Sequence, residues 1–198
     1  MYLTKISMDL RHPSARQGLT DRQDLHRNLA QAFVGKFLYR VLTRSNTSSL
    51  LVLSEKPPDV NTLLARGYQL QEMQNVTVLK EKYTDGSVLH FNLLVVPSKK
   101  VKRDDQGNSR RVFLPTPLLR SEWLNRQGEK YGFEVLMVHE PSAEEKLSVG
   151  RKSGTFTLTA VELEGVLRIR DSTLFWPAWE KGIGPEKAYG LGLILLRR

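Results

Sequence analysis

Gly182 to Leu196, GIGPEKAYGLGLILL, sets four glycines beside a terminal apolar run. Glycine permits positive φ and close approach of other groups at an entropic cost, so this density needs a reason. Upstream, Ser172 to Lys181 reads as a helix running into Gly182, and Pro185 blocks its continuation. Leu191, Leu193 and Leu195 then alternate with Gly192, Ile194 and Leu196, so the implied order is helix, glycine loop, buried strand. Two readings fit the loop. Gly182 can be a helix C-cap with Pro185 as ordinary punctuation, or Gly182, Gly184, Lys187 and Gly190 can line a backbone lying against a phosphate chain. The familiar nucleotide motifs fail. Lys187 stands where GxGxxG needs its third glycine, and Arg151 follows Gly150 where GxxxxGK[ST] needs lysine. A nucleotide-binding enzyme is therefore rejected.

Composition narrows the class further. A chain of 198 residues with 40% hydrophobic content can hold one large domain or two small ones. Thirty Lys and Arg against 21 Asp and Glu give a net charge of +9, which favours an anionic partner such as nucleic acid. The absence of cysteine excludes disulfides, thiolate catalysis and Cys-ligated zinc. No charged n-region with an apolar core opens the chain, and no apolar run approaches the roughly 18 residues of a membrane helix. The expectation is a soluble, cytoplasmic protein with no membrane partner.

From the start, Met1 to Leu10 alternates Leu3, Ile6, Met8 and Leu10 imperfectly with polar residues and reads as a strand. Arg11 to Thr20, with Pro13, Ser14 and Gly18, reads as a loop. Thr20 and Gln23 have the spacing of a capping box, and Leu25, Leu29, Ala32 and Phe33 form a helical apolar stripe. His26 falls about 70° from the middle of that stripe, at its rim. Phe37 to Thr43 and Leu50 to Ser54 read as strands joined through Asn46 and Ser48. Val60 to Arg66 reads as a helix ended by Gly67, and Tyr68 to Tyr83 as strand with Val76 and Val78 in phase. Strand, helix, strand, strand, helix, strand is the ferredoxin-like order, which many unrelated proteins share.

Asp85 and Gly86 form a turn, and the domain boundary is placed there, giving domains 1–85 and 86–198. Val88 to Val96 reads as a strand. A basic arm follows: Lys99, Lys100, Lys102 and Arg103, a turn over Asp104 to Asn108, then Arg110 and Arg111. Leu118 to Tyr131 reads as a helix stopped before Gly132, and Phe133 to Val138 as a strand. Thr155 to Arg170 is a hairpin-like run whose alternation slips, with Gly165 as turn or bulge. With the helix and glycine-rich end, the second half repeats the first half's order. The fold class is therefore α+β, two tandem ferredoxin-like (RRM-like) βαββαβ domains.

Chemically reactive candidates are few. Among His12, His26, His90 and His139 no HxxxH, HxH or neighbouring carboxylate pair makes a metal site, so no metal or other cofactor is expected. His90 lies within an apolar strand and His139 at a strand end, where structural roles suffice. His26 alone combines a rim position with the nearby cations Arg22, Arg27 and Lys36. From the residues alone it is either a surface histidine or a proton-transfer group. The basic arm is likewise either a solvated loop or an RNA-binding surface.

Four stretches together resemble the CasE family, the endoribonucleases that process CRISPR repeat RNA in the subtype I-E Cascade complex. They are MYLTKISMDL (residues 1–10), DLHRNLAQAF (24–33), GRKSGTFTLTAVELEGVLRIRD (150–171) and the glycine-rich end, in the family's order. The resemblance implies two ferredoxin-like domains and metal-independent cleavage, in which a ribose 2′-hydroxyl attacks the adjacent phosphate. It implies as partners a CRISPR repeat RNA hairpin, the mature guide RNA whose stem is retained, and other Cascade subunits. It assigns His26 as proton donor or base, a role that suits an unperturbed pKa near 6.5. The family often carries tyrosine three residues before that histidine, and here the position is Gln23. Gln23 can hydrogen-bond a phosphate oxygen but cannot exchange a proton; its other reading is the cap with Thr20. Arg151, Lys152 and Ser153 match the family's Lys-Ser-Gly loop. With Arg22, Arg27, the arm and the glycine loop they make up the implied RNA-binding set, reading a stem mostly by phosphate and shape. The residues leave a rival open: a subunit that binds RNA without cutting it, or a ferredoxin-like protein interaction module.

Overall fold

The computed structural model describes residues 1–44, 47–102, 109–151 and 154–198. Its first sheet is built on β1 (Tyr2–Met8), flanked by β3 (Thr47–Ser54) and β4 (Tyr68–Asn75), with β2 (Phe37–Arg44) outside β3; all pairs are antiparallel. The spatial order β2-β3-β1-β4 is that of a ferredoxin-like unit, with α2 (Arg22–Ala32) and α3 (Val60–Leu64) as its two crossovers.

The imperfect alternation of β1 has a simple cause: one face of this sheet is covered along its length, and the other is covered only at the end near Leu3, while Lys5 on that face is exposed. Register aligns Leu3, Leu53 and Leu38 in one row and Thr4, Val52 and Tyr39 in the next. Successive residues point to opposite faces. Val52 and Tyr39 pack with Leu25, Leu29, Ala32 and Phe33 at α2. Leu38 and Leu53 instead join the core of the second half, with Leu3 packed against it.

The second half repeats the topology with β5 (Val88–Val95), α5 (Pro117–Tyr131), β8 (Phe133–His139), β10 (Gly154–Ile169), α6 (Ser172–Lys181) and β11 (Ile194–Arg197). Their order β11-β5-β10-β8 matches that of the first sheet element for element, so the chain is α+β with two ferredoxin-like folds in tandem. Two insertions depart from the plan. Between β5 and α5, β6 (Ser98–Lys102) and β7 (Ser109–Phe113) form a separate two-stranded hairpin. Between β8 and β10, β9 (Glu145–Arg151) pairs with the first half of β10 and extends it beyond the sheet.

Several local expectations are corrected. Residues 11–20 are not a loop: Pro13–Thr20 is a helix, α1, with His12 as its cap accepting from the Ser14 N–H at 3.3 Å. Gly18 suggested a loop but serves packing, since a Cβ there would sit 2.9 Å from the Tyr68 hydroxyl. The cap of α2 is Asp21, not Thr20, whose hydroxyl donates back to the Gln17 carbonyl at 2.9 Å. Strand structure stops at Asn75; Val78–Lys82 is a short helix, α4, and Val78 is exposed. Ser48 is a buried residue of β3, while Asn46 and the turn Asp104 to Asn108 lie outside the described residues.

Gly165 is no turn either, though the register of β10 on β8 does slip just beyond it, between Val166 and Leu167. The run from 154 to 169 is one strand, its hairpin partner is β9, and Gly165 lies in its middle opposite Val138. Among the described residues no helix is long and apolar enough to cross a membrane.

A Cβ at residue 165 would overlap the Met137 carbonyl oxygen, with backbone rather than a flexible side chain in the way. Gly165→Ala should lower unfolding free energy by about 1–3 kcal/mol, the usual cost of overpacking. Urea denaturation checks this, and an unchanged midpoint would contradict it.

Candidate active site

Helix α2 starts where the chain leaves an extended Asp21 (φ −131°, ψ 114°), whose Oδ1 accepts the Gln23 N–H at 2.8 Å. Asp at this position satisfies a backbone donor that the helix cannot. One turn on, His26 shares a face with Gln23 by the three-residue spacing. Its ring stacks on Phe37 of β2 with centroids 5.3 Å apart and planes 23° from parallel, and Tyr39 lies 6.5 Å away. Phe37 and Tyr39 are two apart on one strand, so both rings rise from the same face toward α2.

This shelf leaves the imidazole half-buried, as the helical stripe implied. Desolvation lowers its pKa below 6.5. Nδ1 is buried with no hydrogen-bond partner among the described residues. The free ring is therefore neutral at pH 7, ready to accept a proton rather than to give one.

The two cations nearest in sequence are placed differently. Arg27 is exposed and pairs with Asp24 at 3.1 Å. Arg22 is 8% exposed, donates to Glu145 Oε1 at 3.3 Å, and lines a cleft of about 660 Å³ between the two sheets. Lys36 is exposed at the far end of α2.

Lys99, Lys100, Lys102, Arg110 and Arg111 all stand exposed on the β6–β7 hairpin. Register sets Lys100 directly opposite Arg111. Like charges in that relation repel, and none of the five pairs with a described carboxylate. A polyanion would relieve the repulsion. Arg103, Lys152 and Ser153 lie outside the described residues, and Arg151 is described only as the last residue of β9.

The glycine loop follows helix α6 as expected, and its positive φ angles at Gly182 (+74°), Gly184 (+86°) and Gly190 (+82°) suit glycine. Its packing faces inward. A Cβ at Gly182 would lie 3.0 Å from Leu38, and one at Gly190 2.8 Å from the Tyr39 ring. Leu38 and Tyr39 are successive residues with opposite faces, so the loop wraps the outer edge of β2. Its backbone hydrogen bonds are used internally: Ile183 N–H donates to Gly192, Gly190 N–H to Lys187, and Gly192 N–H to Leu94. Lys187 is half-buried at a 3₁₀ turn, Lys187–Tyr189.

Two connections to α2 were not visible in the sequence. The Tyr39 hydroxyl lies 3.0 Å from the Ala188 carbonyl and 3.3 Å from that of Arg22, joining the glycine loop to the first turn of α2. Burial pushes the Tyr39 pKa up, so the hydroxyl stays protonated as a donor. Asp21 also reaches the Gly150 N–H, with Oδ1 at 3.0 Å and Oδ2 at 3.1 Å. The capping spacing points to Thr20 instead of Asp21, and nothing local points to the second partner of Asp21.

A family model described as "CRISPR associated protein" matches residues 1–198. The chain is 28% identical over 216 aligned positions to the CRISPR-associated endoribonuclease Cse3 of Thermus thermophilus, covering 98% of each. It is 29% identical over 216 positions to the CRISPR system Cascade subunit CasE of Escherichia coli K12, covering 99% of this chain and 98% of that one. Among solved structures, CRISPR endoribonuclease Cse3 bound to 19 nt RNA superposes with a TM-score of 0.88 at 26% identity, covering 100% of both chains.

The lowered His26 pKa fixes the sign of one pH effect. Between its folded value and 6.5 the unfolded chain binds more protons, so stability is full above 6.5 and falls as pH drops through that window. An NMR titration should place the His26 midpoint below 6.5, and His26→Gln should remove one imidazole's share of the acid-side slope. A midpoint at or above 6.5 would contradict the burial argument.

Proposed function

Because the chain belongs to the CRISPR associated protein family, we propose that it is a metal-independent endoribonuclease that cuts CRISPR precursor RNA within its repeat hairpins. It keeps the stem of the mature guide RNA and works in the cytoplasm as a subunit of a Cascade complex. Support comes from the relatives: one is named as an endoribonuclease, one as a Cascade subunit, and the closely superposing Cse3 structure holds RNA. The observation that carries the reading is the His26 imidazole, half-buried on an aromatic shelf, where burial disfavours its charged form.

The chemistry needs little more than this. A ribose 2′-oxygen attacks the adjacent phosphorus, the bond to the 5′-oxygen breaks, and the products are a 2′,3′-cyclic phosphate and a free 5′-hydroxyl. The nucleophile belongs to the substrate, so the protein has to move a proton and hold geometry. A neutral His26 takes the 2′-hydroxyl proton, and the imidazolium so formed can return one to the leaving 5′-oxygen. With Nδ1 buried, Nε2 is the nitrogen left for this exchange. Gln23, on the same helix face, donates to a phosphate oxygen.

Binding falls to the exposed cations. Lys99, Lys100, Lys102, Arg110 and Arg111 present a charged ribbon to the backbone of the RNA stem, and Arg27 adds a cation beside His26. The buried Arg22 and the inward-packed glycine loop support the site from behind. One observation favours a second reading, an RNA-binding subunit that does not cut: Gln23 offers no exchangeable proton where the family often has tyrosine.

Incubating the protein with a labelled repeat hairpin in EDTA should give a cyclic-phosphate product. His26→Ala should slow cutting by about 10²- to 10⁴-fold, the usual worth of a general acid or base, while binding persists. Binding without cutting by the wild-type chain would select the second reading, and full-rate cutting by His26→Ala would overturn the role of His26.

A further inference from the structure

Asp21 does more than a helix cap requires. A cap needs one side-chain oxygen, and serine supplies it as well as aspartate does. Here Oδ1 holds the Gln23 N–H at 2.8 Å, while both carboxylate oxygens lie within 3.1 Å of the Gly150 N–H, 129 residues further along the chain. Among the described residues strand β9 pairs with β10 alone, so its other edge offers N–H groups outside the ladder. Asp21 takes one of them in a bond between a charged acceptor and a neutral donor, stronger than a neutral pair.

Gly150 is otherwise hard to explain. Glycine weakens a strand, and Gly150 does not occupy the positive-φ region that would demand it. The space decides: a Cβ at residue 150 would strike Asp21 Oδ2. The cap residue and the strand glycine therefore fit each other, one from each half of the molecule. A second contact, Arg22 to Glu145 at 3.3 Å, ties the same helix turn to the other end of β9.

Gly150 is the second-last residue of β9. Asp21 stands five residues before His26. Resting on the nuclease reading above, we propose that Asp21 is a positioning residue for RNA cleavage: its bond to Gly150 registers strand β9 against the helix that carries His26. It touches no reacting atom. It fixes the helix that carries His26 against strand β9 of the second half. Misplacement of about 1 Å from a remote change can cost about 10² in rate.

Asp21→Ser separates this role from capping, because serine still caps α2 but is too short to reach Gly150. With the full chain and a repeat RNA hairpin, at a temperature where the variant is fully folded, single-turnover cutting at saturating RNA should fall by about 10- to 100-fold, with unchanged hairpin affinity. The Gly150 amide should exchange with solvent faster. Gly150→Ala alone should slow cutting in the same way, and added to Asp21→Ser it should cost little more, because the carboxylate it would strike is gone. Wild-type cutting with an equally fast Asp21→Ser overturns the positioning role alone, as does a variant that loses affinity and cutting by the same factor. A wild-type chain that does not cut overturns the nuclease reading and this role with it.

Discussion

One face of the first sheet packs under α2, the end of its other face around Leu3, Leu38 and Leu53 packs into the second half, and the arrangement around His26 depends on both. Leu38 and Leu53 lie 5% and 0% exposed in the core of the second half, while Tyr39 and Val52, adjacent to them in the chain and opposite each other in register, lie fully buried under α2. A buried leucine contributes about 2 kcal/mol and a net hydrogen bond about 1 kcal/mol. Apolar packing therefore holds the two ferredoxin-like units together, and hydrogen bonds such as those of Asp21 and Tyr39 choose among the positions packing allows.

The cleft between the sheets shows the same division of labour. Arg40, 5% exposed, donates to Glu162 at 2.7 Å, and Glu162 also accepts from Asn92 at 2.8 Å and Ser142 at 3.3 Å. Burial pushes the Glu162 carboxyl up, but the bonds from Asn92 and Arg40 outweigh it and hold the pKa below the usual carboxylate value. Arg40 is pulled the other way, its pKa lowered mainly by desolvation. A buried pair of this kind adds little net stability, because desolvation offsets attraction. Its consequence is orientation: Arg40 comes from β2, next in chain to the Tyr39 that braces α2, and Glu162 from β10, the long strand whose far end forms the β9–β10 hairpin.

Patterns that repeat along one element were legible in the sequence. The stripe of Leu25, Leu29, Ala32 and Phe33 located α2 and put His26 at its edge, and the βαββαβ order appeared twice. Signals that serve tertiary contact were misread as local ones. Gly18 looked like a loop residue and is a packing residue between α1, α2 and Tyr68; Gly165 looked like a turn and gives room to a neighbouring strand. Strand β9 was missed because Lys146, Ser148 and Gly150 alternate with only two buried apolar residues, Leu147 and Val149. The Asp21 to Gly150 bond joins positions with no sequence relation, so nothing short of the fold could bring them together.

The account comes down to where one imidazole stands when RNA is bound. The decisive measurement is a structure of the chain with a repeat hairpin whose cut-site ribose is 2′-deoxy, which removes the nucleophile and leaves the phosphate in place. The account predicts a ring nitrogen of His26 within about 3.2 Å of an oxygen of the scissile linkage, inside hydrogen-bond reach. A scissile phosphate seated elsewhere on the protein, with the His26 ring still closed against Phe37 and facing no RNA, would contradict it.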